Sequence, residues 1–154
     1  MKAKAPKKSK LQKRIDDPYS TYWLKKADDA WADLIHTGYS SCVINKDCSG
    51  PLEAHHLINR KHYATRHNPW CGLLLCSKHH QWSVDLSAHI ASLPFAEWLQ
   101  TNRPKQWEWV CEHKNDVGKP NWKEEVDELK KLKSHCLSKE ALKCANACQI
   151  NAKA

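Results

Sequence analysis

The stretch of sequence that decides the fold covers residues 42–80 and reads CVINKDCSGPLEAHHLINRKHYATRHNPWCGLLLCSKHH. It contains four of the eight cysteines and six of the ten histidines in the 154-residue chain. The basic N-terminal segment lacks the apolar stretch of a secretory signal, so we expect a cytoplasmic protein whose cysteines stay reduced. Reduced cysteines clustered with histidines are typical of metal or thiol chemistry. This stretch therefore predicts a metal-binding domain.

Two pairs of potential zinc ligands bracket the stretch. Cys42 and Cys48 are separated by five residues, and Cys76 and His79 by two. The second pair has zinc-knuckle spacing, whereas the first is looser than the usual spacing of about two to four residues. Together the pairs predict a tetrahedral structural Zn²⁺ site. The alternative is that the thiols are buried free cysteines, which are common in protein cores.

Short apolar runs predict where the histidines lie. Residues 52–58 and 73–75 have the length and composition of strands, and a helix is expected to begin after Ser77. The tandem pair His55 and His56 then falls near the end of the first strand. Neighbours on a regular strand point to opposite faces, so both can reach one site only if the strand bends or ends there.

The order of these motifs resembles that of the HNH endonucleases, in their phage-like, zinc-knuckle form. The resemblance covers residues 42–82 and rests on these motifs: Cys42, Cys48, His55-His56-Leu57-Ile58, Arg60, Gly72-Leu73-Leu74-Leu75-Cys76 and His79-His80. It implies an α+β fold in which a small ββα-metal core, stabilised by a structural zinc, is flanked by α-helices.

The resemblance also implies roles for individual residues. His56 takes the position of the general base, while His55 and His80 take the positions that bind a catalytic divalent cation, Mg²⁺, Mn²⁺ or Ni²⁺. An imidazole with an ordinary pKa of about 6.5 can be neutral and accept a proton from water. The cation would polarise the phosphate and stabilise the leaving oxygen. Two imidazoles without a carboxylate favour a transition ion over magnesium.

One position departs from the family pattern. The family has an asparagine five residues before the cysteine of the second zinc pair, and here that position is Cys71. Asn68 is expected to take its catalytic place with a reshaped loop. Two alternatives stay open: Cys71 is itself a zinc ligand, or the site is degenerate and the protein binds nucleic acid without cutting it.

The charge of the chain favours DNA as the partner. Its formal net charge is +8, which favours a polyanionic partner such as nucleic acid, with an anionic membrane surface as the weaker alternative. Arg60, Lys61 and Arg66, in the loop between the predicted strands, are candidates for phosphate contacts, although a solvated loop would look the same. Trp70 and Trp82 flank the expected site and could stack on a base. No run of residues is apolar and long enough to predict a membrane span.

The pattern along the chain predicts three regions. Residues 1–17 are expected to be a disordered basic arm, residues 18–114 the nuclease domain with its flanking helices, and residues 121–154 a C-terminal helical extension. A helix should begin near Asp17 or Ser20 and end at Gly38, and Pro94 should break the helix after Ser77. Asp85 and His89, on that helix, could supplement the metal site, although an exposed helix face is the favoured explanation.

The C-terminal extension leaves several interpretations open. Its predicted helix at residues 122–136 could provide a homodimer contact, although its apolar stripe is more typical of internal packing. Cys136, Cys144 and Cys148 could form a second metal site with His135, or belong to packing or to a tail.

The sequence therefore predicts a metal-dependent HNH endonuclease that hydrolyses phosphodiester bonds in DNA, in the host cytoplasm if it is phage-encoded. The alternative is a zinc-stabilised nucleic-acid-binding module with a degenerate nuclease site. A zinc-dependent interaction domain that binds no nucleic acid is a third reading, which the positive charge disfavours.

Overall fold

A computed structural model describes residues 7–137 of the protein. In order along the chain, the helices and strands of this part are α1 Lys10–Asp16, α2 Thr21–Gly38, β1 Leu52–His56, β2 Gly72–Cys76, α3 Ser92–Asn102, α4 Pro104–His113 and α5 Trp122–Leu137. A 3₁₀ turn at Pro69–Cys71 precedes β2, and a π-helical turn at Lys78–Trp82 follows it. The predicted α+β class is confirmed at this coarse level.

The two strands form an antiparallel hairpin in which Leu52 pairs with Cys76 and His56 pairs with Gly72. Side chains alternate between the two faces of the hairpin. Ala54 and Leu74 lie on one face, in a core cluster with Trp31, Leu34, Ile35 and Leu129 of α2 and α5. Leu73 and Leu75 lie on the other face, with Phe95 and Leu99 of α3. The hairpin is therefore covered on both sides.

Gly72 allows α2 to lie directly on the hairpin. Helix α2 turns Ala27, Trp31, Leu34 and Ile35 inward at helical spacing. A Cβ atom built on Gly72 would lie 2.4 Å from Ile35 Cδ1 and 2.7 Å from Trp31 Cζ2, closer than carbon atoms can approach. Only glycine fits between this helix and β2.

The helix predicted to begin after Ser77 is much shorter than expected. It ends at Trp82, and residues 83–91 are irregular. The buried Ser87 hydroxyl donates to the Ser83 carbonyl oxygen and accepts from the Ile90 and Ala91 amides, which competes with regular helix formation. Pro94 does not break a helix but lies in the first turn of α3, where no backbone donor is required.

The prediction of a wholly disordered arm is wrong for residues 10–16, which form α1. Ser9 caps this helix by accepting a hydrogen bond from the Gln12 amide at 3.1 Å. Trp23 Nε1 donates to the Ile15 carbonyl oxygen at 2.9 Å, which attaches the arm to α2. Composition alone does not show either contact. Residues 1–6 lie outside the described part, as do Cys144 and Cys148.

Helix α5 uses its apolar stripe within the chain. Trp122, Val126 and Leu129 are buried, and α5 packs along α2. Leu132, from the same predicted stripe, is 46% exposed. The packing interpretation of the stripe is confirmed, so the face that would have supplied a homodimer contact is largely covered. Within residues 7–137, no helix combines the length and apolar character needed to cross a membrane.

Candidate metal centres

Three cysteines and one histidine converge beside the hairpin. The Nδ1 atom of His79 lies 3.5 Å from Cys42 Sγ, 3.8 Å from Cys48 Sγ and 3.2 Å from Cys76 Sγ. In a tetrahedral zinc site with ordinary bond lengths, sulfur and nitrogen ligands are about 3.6 Å apart. The four residues, which we call the cysteine cluster, could therefore hold a metal such as zinc, as the sequence predicted.

The loose spacing of Cys42 and Cys48 has a structural explanation. The loop between Cys42 and β1 contains three residues with positive φ: Asn45 at 51°, Asp47 at 49° and Gly50 at 81°. Asn, Asp and Gly are the residues that tolerate this left-handed region best. Asn45 and Asp47 lie between the two cysteines and fold this segment back on itself, so Cys48 reaches His79 despite the extra residues.

The electrostatics of the cysteine cluster favour a bound cation. The pKa of the Cys48 thiol is raised to about 11, first by its desolvation and then by the neighbouring thiols of Cys42 and Cys76. Burial lowers the pKa of His79, which keeps the imidazole neutral and able to bind a metal. A divalent cation would offset the repulsion among the sulfurs, because metal ions bind the deprotonated form.

Three histidines form a second cluster on the α3 side of the hairpin. His89 Nε2 lies 3.1 Å from His80 Nε2, and the His55 ring centroid lies 5.0 Å from that of His80. One nitrogen from each ring lies within 4.8 Å of the others. His55, His80 and His89, which we call the histidine cluster, could therefore hold a second metal ion.

Glu53 orients one ring of the histidine cluster. Its Oε2 atom lies 2.5 Å from His80 Nδ1. The Glu53 carboxylate is fixed in turn by Ser77 Oγ at 2.7 Å and Gln81 Nε2 at 3.2 Å. A carboxylate can only accept, so Nδ1 carries the proton and the lone pair of His80 Nε2 faces His89. Carboxylates that fix a histidine in this way are common behind metal ligands.

Backbone hydrogen bonds bring His89 to the cluster. The Ala88 amide donates to the His79 carbonyl oxygen at 2.9 Å, and the His89 amide donates to that of His80 at 3.2 Å. His89 is exposed but not helical, and the sequence indicated it only as a less favoured supplement. Asp85 is not part of the cluster among the described residues.

His55 is a neutral member of the histidine cluster. Burial and the nearby rings of His80, His89 and His56 lower the pKa of His55 to about 3. Its imidazole is therefore unprotonated at neutral pH, with a lone pair available to a metal. Three imidazoles favour a transition ion, as two did in the sequence-based prediction.

His56 lies apart from the histidine cluster. Strand alternation turns it to the α2 face, where it stacks on Trp31 with ring centroids 3.7 Å apart. Its Nε2 atom lies 3.0 Å from the Arg66 carbonyl oxygen and must donate to it, which leaves the lone pair on Nδ1. Burial is the main cause that lowers the pKa of His56 to about 4. The structure thus brings His55 and His80 together but not His56.

Asn68 and Cys71 both hold the loop that precedes β2. Asn68 Oδ1 accepts from the Trp70 amide at 2.9 Å, and its carbonyl oxygen accepts from Trp31 Nε1 at 3.1 Å. Cys71 is fully buried, and its thiol donates to the Ile58 carbonyl oxygen at 3.8 Å. Cys71 therefore does not join the cysteine cluster, and the alternative that it ligates the same zinc is wrong. Asn68 thus fixes the loop through its hydrogen bonds with Trp70 and Trp31.

Of the three predicted phosphate contacts, Arg66 is already engaged. Its Nε and Nη2 atoms donate to the two carboxylate oxygens of Asp28, both at 2.7 Å, and its side chain is 13% exposed. In this structure Arg66 is thus bound within the protein, and its contact with a phosphate stays a prediction. Arg60 and Lys61 are exposed, as expected. Trp82 is 67% exposed two residues after His80, whereas Trp70 is half-buried.

Sequence reasoning missed the acidic partners of the site. Glu53 is the residue next but one before His55, a spacing that places the two on one face of a strand and could have indicated the contact. Asp28 on α2, which binds Arg66, and Glu125 on α5, which contacts His67, come from distant helices, so no local pattern could reveal them.

The arrangement thus combines a closed set of four donors with an open set of three imidazoles. Such an open set can bind a cation and leave a coordination position for water or a substrate oxygen. Comparison of the chain with family models, with curated proteins and with solved structures gives no match.

Proposed function

We propose that the protein is a metal-dependent endonuclease of the HNH type that hydrolyses phosphodiester bonds in DNA. The observation that supports this most is the histidine cluster, in which three imidazole nitrogens lie within 4.8 Å of one another and Glu53 orients His80.

His55, His80 and His89 would hold the divalent cation. When bound, the ion supplies positive charge that polarises the phosphate and stabilises the oxygen that leaves. Glu53 keeps the proton of His80 on Nδ1, so Nε2 stays available to the ion. His55 contributes a neutral ring because burial disfavours its protonation.

His56 is the proposed proton acceptor. Its Nε2–H bond to the Arg66 carbonyl oxygen leaves Nδ1 as the basic atom, and the ring is neutral at physiological pH. The Asn68 side chain, which accepts a hydrogen bond from the Trp70 amide, supports the far end of the loop that follows His56.

The substrate is proposed from charge. The chain has a formal net charge of +8, and the exposed Arg60 and Lys61 lie in the loop that follows His56. Such side chains bind phosphates without reading sequence, so affinity should fall as salt concentration rises.

A second function is a zinc-stabilised DNA-binding module without cleavage. The observation that favours it is the position of His56, which is stacked on Trp31 and faces away from the histidine cluster. In this alternative the cysteine cluster would stabilise the fold, and the basic surface would provide the affinity.

Cleavage of supercoiled plasmid distinguishes these functions. Wild type, His55→Ala, His56→Ala and His62→Ala are compared with magnesium, manganese, nickel or chelator, on protein of measured zinc content. His62 is an exposed loop histidine outside both clusters and serves as the matched control. We expect metal-dependent cutting by wild type and His62→Ala, with loss of cutting in the other two.

Cutting that survives in His56→Ala but not in His55→Ala would keep the metal site and exclude His56 as the base. No cutting by zinc-loaded wild type that still binds DNA would overturn the endonuclease proposal in favour of the binding module.

A further inference from the structure

Four charged side chains meet where the loop between β1 and β2 packs against α2 and α5. His67 lies between two carboxylates: Nε2 is 3.0 Å from Asp28 Oδ1, and Nδ1 contacts Glu125 Oε2. The His67 side chain is 1% exposed. Arg66 forms two hydrogen bonds with the same Asp28. We call Asp28, Arg66, His67 and Glu125 the ionic cluster.

The geometry determines the protonation of His67. Both of its ring nitrogens face carboxylate oxygens, which can only accept hydrogen bonds, so both must carry protons. Two cations and two carboxylates then balance within the cluster. Although burial alone would lower it, the hydrogen bonds to Asp28 and Glu125 raise the pKa of His67 above its ordinary value. The arginine and His67 in turn hold the pKa of Asp28 well below its usual range, against the opposing effect of burial.

The ionic cluster is joined directly to His56. The carbonyl oxygen of Arg66, next to His67 in the chain, accepts the hydrogen bond from His56 Nε2 at 3.0 Å. Arg66 Nη1 also donates to the Arg60 carbonyl oxygen at 2.8 Å, which closes the loop around this carbonyl group. Any movement of residues 66 and 67 would therefore move the acceptor that fixes the His56 ring.

We propose that the ionic cluster is a positioning device that, through protonated His67, holds the Arg66 carbonyl group against His56. This inference rests on the proposed function only for the role of His56 as proton acceptor. The cluster contacts neither metal-binding cluster, so it acts on the orientation of His56 and not on metal affinity. His67, Asp28 and Glu125 are positioning residues.

The stability that His67 contributes has a definite pH dependence. Its pKa is raised from an unfolded value of about 6.5. Its contribution is therefore complete below that value and is lost as pH rises through the higher folded pKa. The charged groups that face it are Asp28 from α2 and Glu125 from α5, with Arg66 bound to Asp28 from the loop. Lowering the pH toward the ordinary range of a carboxyl does not release Asp28, whose pKa is depressed.

The test uses the full zinc-loaded chain and follows the His56 Nε2–H proton by nitrogen-15 NMR. In wild type both ring nitrogens of His67 donate to a carboxylate. In His67→Gln the side chain has one amide nitrogen that donates and one oxygen that cannot donate, so one of the two carboxylates loses its partner. Asp33→Asn is the matched control, because it breaks the exposed Lys133–Asp33 ion pair, which also joins α2 and α5. We expect the His56 signal to be protected from exchange in wild type and Asp33→Asn, and to be lost in His67→Gln.

Activity and pH give the second measurement. We expect kcat of His67→Gln to fall about tenfold at constant metal affinity, because a general base contributes about 10²- to 10⁴-fold only when it is held in position. The melting temperature of wild type should fall relative to His67→Gln as pH rises past about 6.5. Glu125→Gln, which keeps the size of the side chain, should show the same loss of the His56 signal in weaker form.

A protected His56 signal in His67→Gln would overturn the proposal, even if the variant were less stable. If wild type cleaves no DNA but the His56 signal still depends on His67, the proposed function fails while the positioning role stands.

Discussion

The cysteine cluster and the histidine cluster differ in number of donors and in access to solvent, although His79 and His80 are neighbours on the same turn. The cysteine cluster has four donors, three of them buried, whereas none of the three histidines in the second cluster is buried. A complete tetrahedral set is typical of a structural metal, and three ligands with an open position are typical of a catalytic one. One turn thus contributes a residue to each of two clusters of different composition.

The largest expected effect comes from Cys76→Ser. Cys76 is buried and lies 3.2 Å from His79, so its loss should release the metal. Structural zinc contributes folding free energy on the order of 10 kcal/mol, and the variant should therefore unfold at ordinary temperatures. Circular dichroism melting and zinc quantification measure this, with the exposed Cys111→Ser as control. A stable, zinc-free Cys76→Ser protein would remove the structural half of the comparison.

His80→Ala should have the opposite profile. We expect it to keep zinc and to melt near the wild-type temperature, because His80 is only half-buried and does not belong to the cysteine cluster. It should no longer bind a metal at the histidine cluster. Calorimetric titration of the zinc-loaded protein with nickel measures that affinity. Unchanged nickel binding by His80→Ala would show that the histidine cluster holds no ion.

Glu53→Gln should have the smallest effect of the three. The amide can still accept a hydrogen bond from His80 Nδ1, but it no longer supports the ligand with a negative charge. Outer partners of this kind typically change metal affinity about 10- to 100-fold. The same nickel titration measures the change, and zinc content should stay constant. Loss of zinc instead would mean that the two clusters are not independent.

Much of the hairpin could be predicted because its signals are local. The apolar runs at residues 52–58 and 73–75 indicated the two strands, and the spacing of the pairs Cys42/Cys48 and Cys76/His79 indicated the ligand set of the cysteine cluster. The irregular segment at residues 83–91 could not be predicted, because it depends on the Ser87 hydroxyl finding partners four residues before and after it.

The separation of His55 and His56 was only half predictable. Strand alternation gave the reason for concern, but the contact that settles the His56 ring is with Trp31, which lies 25 residues earlier on another element. The ionic cluster was beyond reach for the same reason. Asp28 and Glu125 meet His67 only after α2 and α5 have packed on each other.

The direct succession of His79 and His80 restricts how this chain can vary in length. One residue inserted or deleted between Cys76 and His80 would displace His79 from the cysteine cluster or His80 from the histidine cluster. Both histidines could not keep their positions. The loop at residues 57–71 is anchored at Ile58, Arg66, Asn68 and Cys71, and the exposed Lys61 lies between the first two of these anchors. Among natural variants, gaps should therefore accumulate near Lys61 and be absent from the turn.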